Sequence, residues 1–170
     1  LLGITKRTSE GVELRVHPTL IPTRRLIANV EGAMNAVLVK GDAVGPTLYY
    51  GKGAGAEPTA SAVIADLVDV TRMHSADPEH RVPHLAFQPD AMADLPILPL
   101  SEVITSYFLR MRVEDKPGVL ADITRILADQ QISIDAMIQR EPDEGEEQTD
   151  IIILTHKTRE KNADAAIAKI

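Results

Sequence analysis

From residue 107 onward the apolar residues switch period again and again, and the order of the switches leaves few folds open. Tyr107, Leu109, Met111 and Val113 alternate with Arg110 and Arg112, the two-residue period of a strand with one buried face. Val119, Leu120, Ile123, Ile126 and Leu127 then recur at helical spacing, with Asp122, Arg125 and Asp129 facing out. Ile132, Ile134, Ala136 and Ile138 alternate as a second strand. Ile151-Ile152-Ile153-Leu154 is apolar on both faces, as expected of a central strand, and Ala163, Ala166, Ile167 and Ile170 begin a second helix. The order is β-α-β-β-α, lacking only a last strand, and it predicts the split βαβ, ferredoxin-like plan. Asp115-Lys116-Pro117-Gly118 reads as the turn from first strand to first helix, with Asp115 the expected cap and Pro117 in the first turn.

The chain before this point is built differently. Eight of its ten glycines lie within residues 1–55, and five of its eleven prolines within 73–100. Val12–Val16 alternates and stops at His17-Pro18, which predicts a short strand. Ala36–Val39, the turn pair Gly41-Asp42 and Val44–Tyr50 predict a hairpin. Ala60, Val63, Ile64, Leu67, Val68 and Thr71 predict a helix over 58–72, with Pro58 at its first position. Residues 74–100 have neither period and read as a Pro-rich linker. The expected division is therefore 1–73, a linker 74–100, and 101–170, an α+β chain throughout.

Composition removes several functions. Aromatics make up 3% and Trp is absent, so base stacking has little to work with. The net charge of −7 opposes a phosphate backbone, although six of the acids crowd into residues 141–150, which reads as a solvated loop. The absence of Cys excludes disulfides, thiolate metal sites and Cys nucleophiles. His17, His74, His80, His84 and His156 show no ligand spacing, since Pro83 breaks any helix between His80 and His84, and no metal site is expected. No apolar run approaches membrane-spanning length and no leader is visible, so a cytoplasmic protein without membrane or nucleic-acid partners is expected. The chain opens without Met and closes at Ile170 inside a helical pattern, which reads as a piece of something longer.

The segment GKGAGAEPTASAV, 51–63, is Gly-rich and sits between a predicted strand and a predicted helix. Gly51, Gly53 and Ala56 fit a relaxed G-x-G-x-x-A spacing, and free amides at a helix start attract anions. A dinucleotide fold also needs a second parallel strand ending in an acid about 20 residues on. Asp69 stands at that distance but inside the helical stripe, and Glu57 places a negative charge where the anion would sit. A complete nucleotide fold is not expected; a backbone contribution to a site built elsewhere is. No G-K-[ST] and no G-x-S-x-G occurs, and Asp42, Glu57 and Asp69 read as structural acids before catalytic ones.

Two stretches are familiar. ANVEGAMNAVLVKGDAVGPTLYYGKGAGAEPTASAV, 28–63, resembles the end of the catalytic region of homoserine dehydrogenases. LRMRVEDKPGVLADITRILADQQISIDAMIQ, 109–139, resembles an ACT domain, the amino-acid-sensing module found C-terminal in many bacterial members of that family. The resemblance implies that 1–73 is the C-terminal part of a catalytic domain, with a hairpin and a helix that returns to a nucleotide-binding domain, and that 101–170 is an ACT domain cut before its last strand. It implies a parent enzyme that interconverts L-homoserine and L-aspartate 4-semialdehyde with NAD(P), feeding threonine, methionine and isoleucine synthesis. The nucleotide-binding domain and the catalytic residues would precede this chain, so no catalytic residue is assigned and no tight cofactor binding is expected here. Gly55 matches the last glycine of the family's turn near the cofactor. Asp115, Pro117, Gly118, Val119 and Leu120 match the turn where ACT domains hold an effector, often across a dimer interface. A small amino acid, threonine first, is the implied effector: Asp115 would take its ammonium, the amides of Gly118, Val119 and Leu120 its carboxylate, and Gln139 or Asp135 its hydroxyl. At least a dimer is expected, because the apolar face of the 58–72 helix needs another surface. The competing reading is a free-standing ACT-type regulator, for which the Gly-rich turn has no use.

Overall fold

The computed structural model describes residues 1–77, 87–142 and 145–170. His80, His84 and Pro83 of the expected linker, and Asp143 and Glu144 of the acidic loop, lie outside the described residues. Two compact units form, one from Leu1–Thr19 with Leu95–Ile170 and the other from Leu20–Asp94.

The second unit is small. Strands β3 (Met34–Lys40) and β4 (Pro46–Lys52) pair antiparallel from Met34↔Lys52 to Lys40↔Pro46. Their turn closes with the Gly41 amide on the Gly45 carbonyl at 2.9 Å, and Gly45 takes φ +75°, which suits glycine. Helix α1 runs over Ala56–Ser75, longer than the period alone suggested. It opens at Gly55, so Pro58 is its third residue, still within the turn whose amides lack intrahelical acceptors. No residue of α1 is buried, and Ile64 and Leu67 of its apolar stripe are 59% and 57% exposed.

The first unit carries the core. Strands β6 (Phe108–Glu114), β7 (Ile134–Gln139) and β8 (Gln148–Thr155) form an antiparallel sheet in the order β6-β8-β7, with the isoleucine strand central. Helices α2 (Val119–Asp129) and α3 (Glu160–Lys169) supply the other layer. Ile123 and Leu127 of α2, Ile151 and Ile153 of β8, Ile132 and Ala166 form the buried cluster, with Leu109, Met111 and Val113 packed on it. This is the expected α+β, βαββα arrangement. The helices cover one sheet face only, so Phe108 and Leu154 on the other stay partly exposed.

Strand β7 departs from simple alternation. Its pairing shifts by one between Ile134↔Thr155 and Ala136↔Leu154, a bulge at Asp135. Ile134 therefore packs on the core, whereas Ala136 and Ile138 face away, and Ile138 is exposed. The expected single face through Ile138 is corrected, because one extra residue exchanges the two faces beyond it. Met137 and Gln139 then share the face of Ile153 and Ile151, opposite which they pair.

Two strand pairs were not anticipated. Strand β1 (Leu2–Arg7) pairs with β2 (Val12–His17), and β5 (Ile104–Thr105) with β9 (Thr158–Arg159). The inward face of β2 is polar: Glu13 is 4% exposed and meets Lys6 at 3.3 Å and Arg15 at 3.8 Å.

Candidate functional site

An open cleft of about 420 Å³ lies where β6 ends and α2 begins. Its wall is the continuous run Val113 to Leu120, closed by Gln139 from β7 and Ile151 from β8. Asp115, Pro117, Gly118, Val119 and Leu120, the residues singled out in the sequence, thus line one concavity. The backbone explains its shape. The Asp115 amide donates to the Glu147 carbonyl at 2.9 Å, tying the turn to the chain entering β8. Gly118 has φ +100°, so the chain doubles back sharply into the helix, and a Cβ there would meet nothing within 4 Å. The side of Gly118 is open space.

Asp115 is not the helix cap. Gly118 is the N-cap residue, no side chain bonds the first turn, and the Asp115 carboxylate instead accepts from Gln139 Nε2 at 3.4 Å. Asp115 stands three residues before the N-cap position, too far from the first helical amides to cap them. Pro117 likewise precedes the helix instead of occupying its first turn. The start of α2 is therefore left to other acceptors: the Val119 amide reaches the Lys116 carbonyl only at 3.4 Å. Lys116 bonds Glu114 at 2.9 Å, so the rim carries one cation and two carboxylates. Gln139 reaches the cleft because of the bulge at Asp135; in unbroken register Ile138 would stand there. Asp135 itself points its carboxylate to His156 Nε2 at 4.0 Å and is not among the cleft residues.

Gly55 stands in the other unit, before α1. Its φ of +122° favours glycine, and a Cβ there would come into van der Waals contact with the Pro58 ring. The Thr59 amide takes its carbonyl at 3.1 Å. The residues present do not complete a nucleotide site: β3 and β4 are antiparallel, Gly51 lies inside β4, and among the described residues no strand runs parallel to β4 after α1. Asp42 accepts the Ala43 amide at 2.7 Å, and Asp69 meets Arg72 at 3.6 Å along α1, local duties for both. No group of three His, Asp or Glu suited to a metal ion occurs among the described residues.

The layered βαββ unit with a cleft at its strand-to-helix turn is an ACT domain, and residues 107–170 match that family. Residues 1–68 match the family described as homoserine dehydrogenase. The homoserine dehydrogenase match and the ACT match thus follow one another along the chain. It is 65% identical over 169 residues to the homoserine dehydrogenase of Methylobacillus glycogenes, covering 99% of this chain and 40% of that protein. The homoserine dehydrogenase of Pseudomonas aeruginosa is 56% identical, covering 99% of this chain and 39% of its own length. A solved homoserine dehydrogenase from Thiobacillus denitrificans superposes with a TM-score of 0.87 at 74% identity, over 99% of this chain and 37% of that one. The chain thus spans about two fifths of the length of the curated relatives it matches. The family match over 1–68 favours the dehydrogenase reading over a free-standing regulator.

Gly55 gives a test in a longer homologous enzyme. A Gly55→Val change adds a branched side chain where φ is +122°, so the turn must move. The expected result is a raised KM for NAD(P)H with the fold retained by circular dichroism; an unchanged KM and kcat would remove Gly55 from the cofactor.

Proposed function

We propose that this chain is the regulatory and dimerising portion of an NAD(P)-dependent homoserine dehydrogenase, and that its ACT domain senses a small amino acid, threonine first. The observation that carries the reading is the cleft at the start of α2, a concavity of about 420 Å³ with Asp115 and Gln139 on one side and the helix start on the other. An α-amino acid presents a carboxylate and an ammonium that are both bonded to one carbon. First-turn amides at the positive end of a helix favour the carboxylate, by roughly 0.3–1 kcal/mol when exposed and more when partly buried. Asp115 suits the ammonium, and the Gln139 amide suits a side-chain hydroxyl. The open space beside Gly118 admits the ligand backbone.

The parent would interconvert L-homoserine and L-aspartate 4-semialdehyde in the cytoplasm, with NAD(P) held mainly by residues outside this chain. Among the described residues no helix is long and apolar enough to cross a membrane. The exposed stripe of α1, with Ile64 and Leu67, and the exposed β3–β4 residues Val37 and Tyr49 support self-association.

Two measurements on the purified 170-residue chain test this. Homoserine oxidation with NAD(P) should be absent, and turnover that follows the chain through two columns would overturn the reading. Light scattering should give at least twice the 18.5 kDa chain mass at micromolar concentration, and a monomer would remove the dimerising role.

A further inference from the structure

The stretch before the ACT domain is bonded on both of its sides. On one side it extends the β1–β2 hairpin. The Val12 amide donates to the Pro96 carbonyl at 2.9 Å, the Leu98 amide donates to the Val12 carbonyl at 3.0 Å, and Val12 bridges Ile97 in parallel. Gly11 is buried against the same stretch with φ +146°, and a Cβ there would lie 2.3 Å from the Pro96 carbonyl oxygen. Only glycine allows that approach.

On its other side the stretch joins the end of the ACT domain. Val103 is 1% exposed, its carbonyl accepts the Glu160 amide at 2.9 Å, and β5 pairs with β9. The Glu102 carboxylate takes Arg159 and Lys161, each at 2.8 Å, which holds it below the usual carboxylate range. Tyr107 donates its amide to Thr155 Oγ1 at 2.9 Å and its hydroxyl to Glu160. Burial and the Glu160 charge push that hydroxyl's pKa well up, so it stays a donor, and the field of Arg15 from β2 reaches it.

We propose that residues 95–107 are a rigid strap that fixes the β1–β2 hairpin to the ACT domain as one body. Strand β6 continues from the strap at Tyr107 to the cleft at Val113 and Glu114, a rod of roughly 20 Å at about 3.3 Å per residue. A shift of β6 against its neighbours is thereby delivered to residues 1–19, inside the dehydrogenase family match, with no slack between. That last consequence rests on the effector reading of the cleft; the strap itself does not.

The chain lacks Cys, so two introduced thiols carry spin labels without background. Ser9→Cys and Asp129→Cys place one label on the hairpin turn and one on exposed α2. The double-label distance distribution should be a single narrow peak, with threonine leaving its width unchanged. Adding Gly11→Val should at least double the width and abolish exchange protection at the Val12 and Leu98 amides, while β8 amides remain protected. Should Gly11→Val unfold β8 as well, Leu98→Pro, which removes the amide donor to Val12, takes its place with the same expectation. A broad distribution in the parent background, or a peak that stays narrow in a folded strap variant, overturns the proposal. Calorimetry with threonine on the same proteins reports the effector reading alone, so failure of one is separable from failure of the other.

Discussion

Threonine binding is expected to fall by at least about 100-fold, beyond detection at millimolar ligand, in the Gly118→Asp protein. A carboxylate at this position projects into the open side of the cleft, facing the place proposed for the ligand's own carboxylate. Two like charges about 4 Å apart cost around 4 kcal/mol at the dielectric typical of a protein surface, and water at the cleft mouth reduces that. About 2.7 kcal/mol is enough for the stated loss. Strain acts alongside, since φ is +100° and a side chain there costs of the order of 1–3 kcal/mol. Gly118→Ala separates the two effects: it carries the strain without the charge and should weaken binding by tenfold or less. Equal losses in both variants would mean that backbone geometry, not the carboxylate, sets the affinity. Isoleucine, methionine, serine and lysine serve as ligand controls, and the far-ultraviolet circular dichroism of both variants should stay close to that of the parent. A threonine titration silent in the unaltered chain would remove the effector assignment for this chain.

The cleft was legible because its wall is one contiguous run. Asp115 to Leu120 stands between two clear periods, so any turn there gathers those residues whatever its detailed path. The role of Asp115 was not legible, because capping depends on where the helix begins, and Gly118 in a left-handed conformation delays the start by three residues. Gln139 reached the site through the bulge at Asp135, which nothing in the alternation of Ile132 to Ile138 announces; only pairing with β8 reveals it. The β1–β2 hairpin was half visible. Leu2–Arg7 holds a glycine and ends on Thr5, Lys6 and Arg7, so it lacks a strand's apolar face, and its partner buries Glu13. Polar burial of that kind is a tertiary effect that a periodicity argument misses. The strap was hidden by its prolines. Pro96 and Pro99 read as linker residues, yet each offers a carbonyl that accepts, from the Val12 amide of β2 and from the Glu102 amide respectively.

Leu127→Ala is expected to destabilise the ACT-containing unit by about 2–5 kcal/mol. Leu127 is 1% exposed and contacts the same cluster as Ile123, Ile151 and Ile153. Truncation removes three carbons and leaves a cavity that β8 and α2 cannot close, because both are anchored: β8 is paired on both edges, and α2 is held at its end by Gln131, a non-glycine residue at φ +60°, with the Ile132 amide on the Leu127 carbonyl at 2.9 Å. A domain of this size moves by about 4–8 °C per kcal/mol, so the melting temperature should fall by about 10 °C or more. Leu67→Ala in α1 is the control. It deletes the same atoms from a side chain 57% exposed and should cost about 0.5 kcal/mol or less in the same scan, unless self-association buries that face. The two outcomes together separate the folding core from the interface. A large loss for Leu67→Ala that shrinks as the protein is diluted would place the α1 stripe in the dimer contact. A small loss for Leu127→Ala would mean that the sheet and helices repack, and that the β6-β8-β7 layer is held by its strand pairing more than by its core.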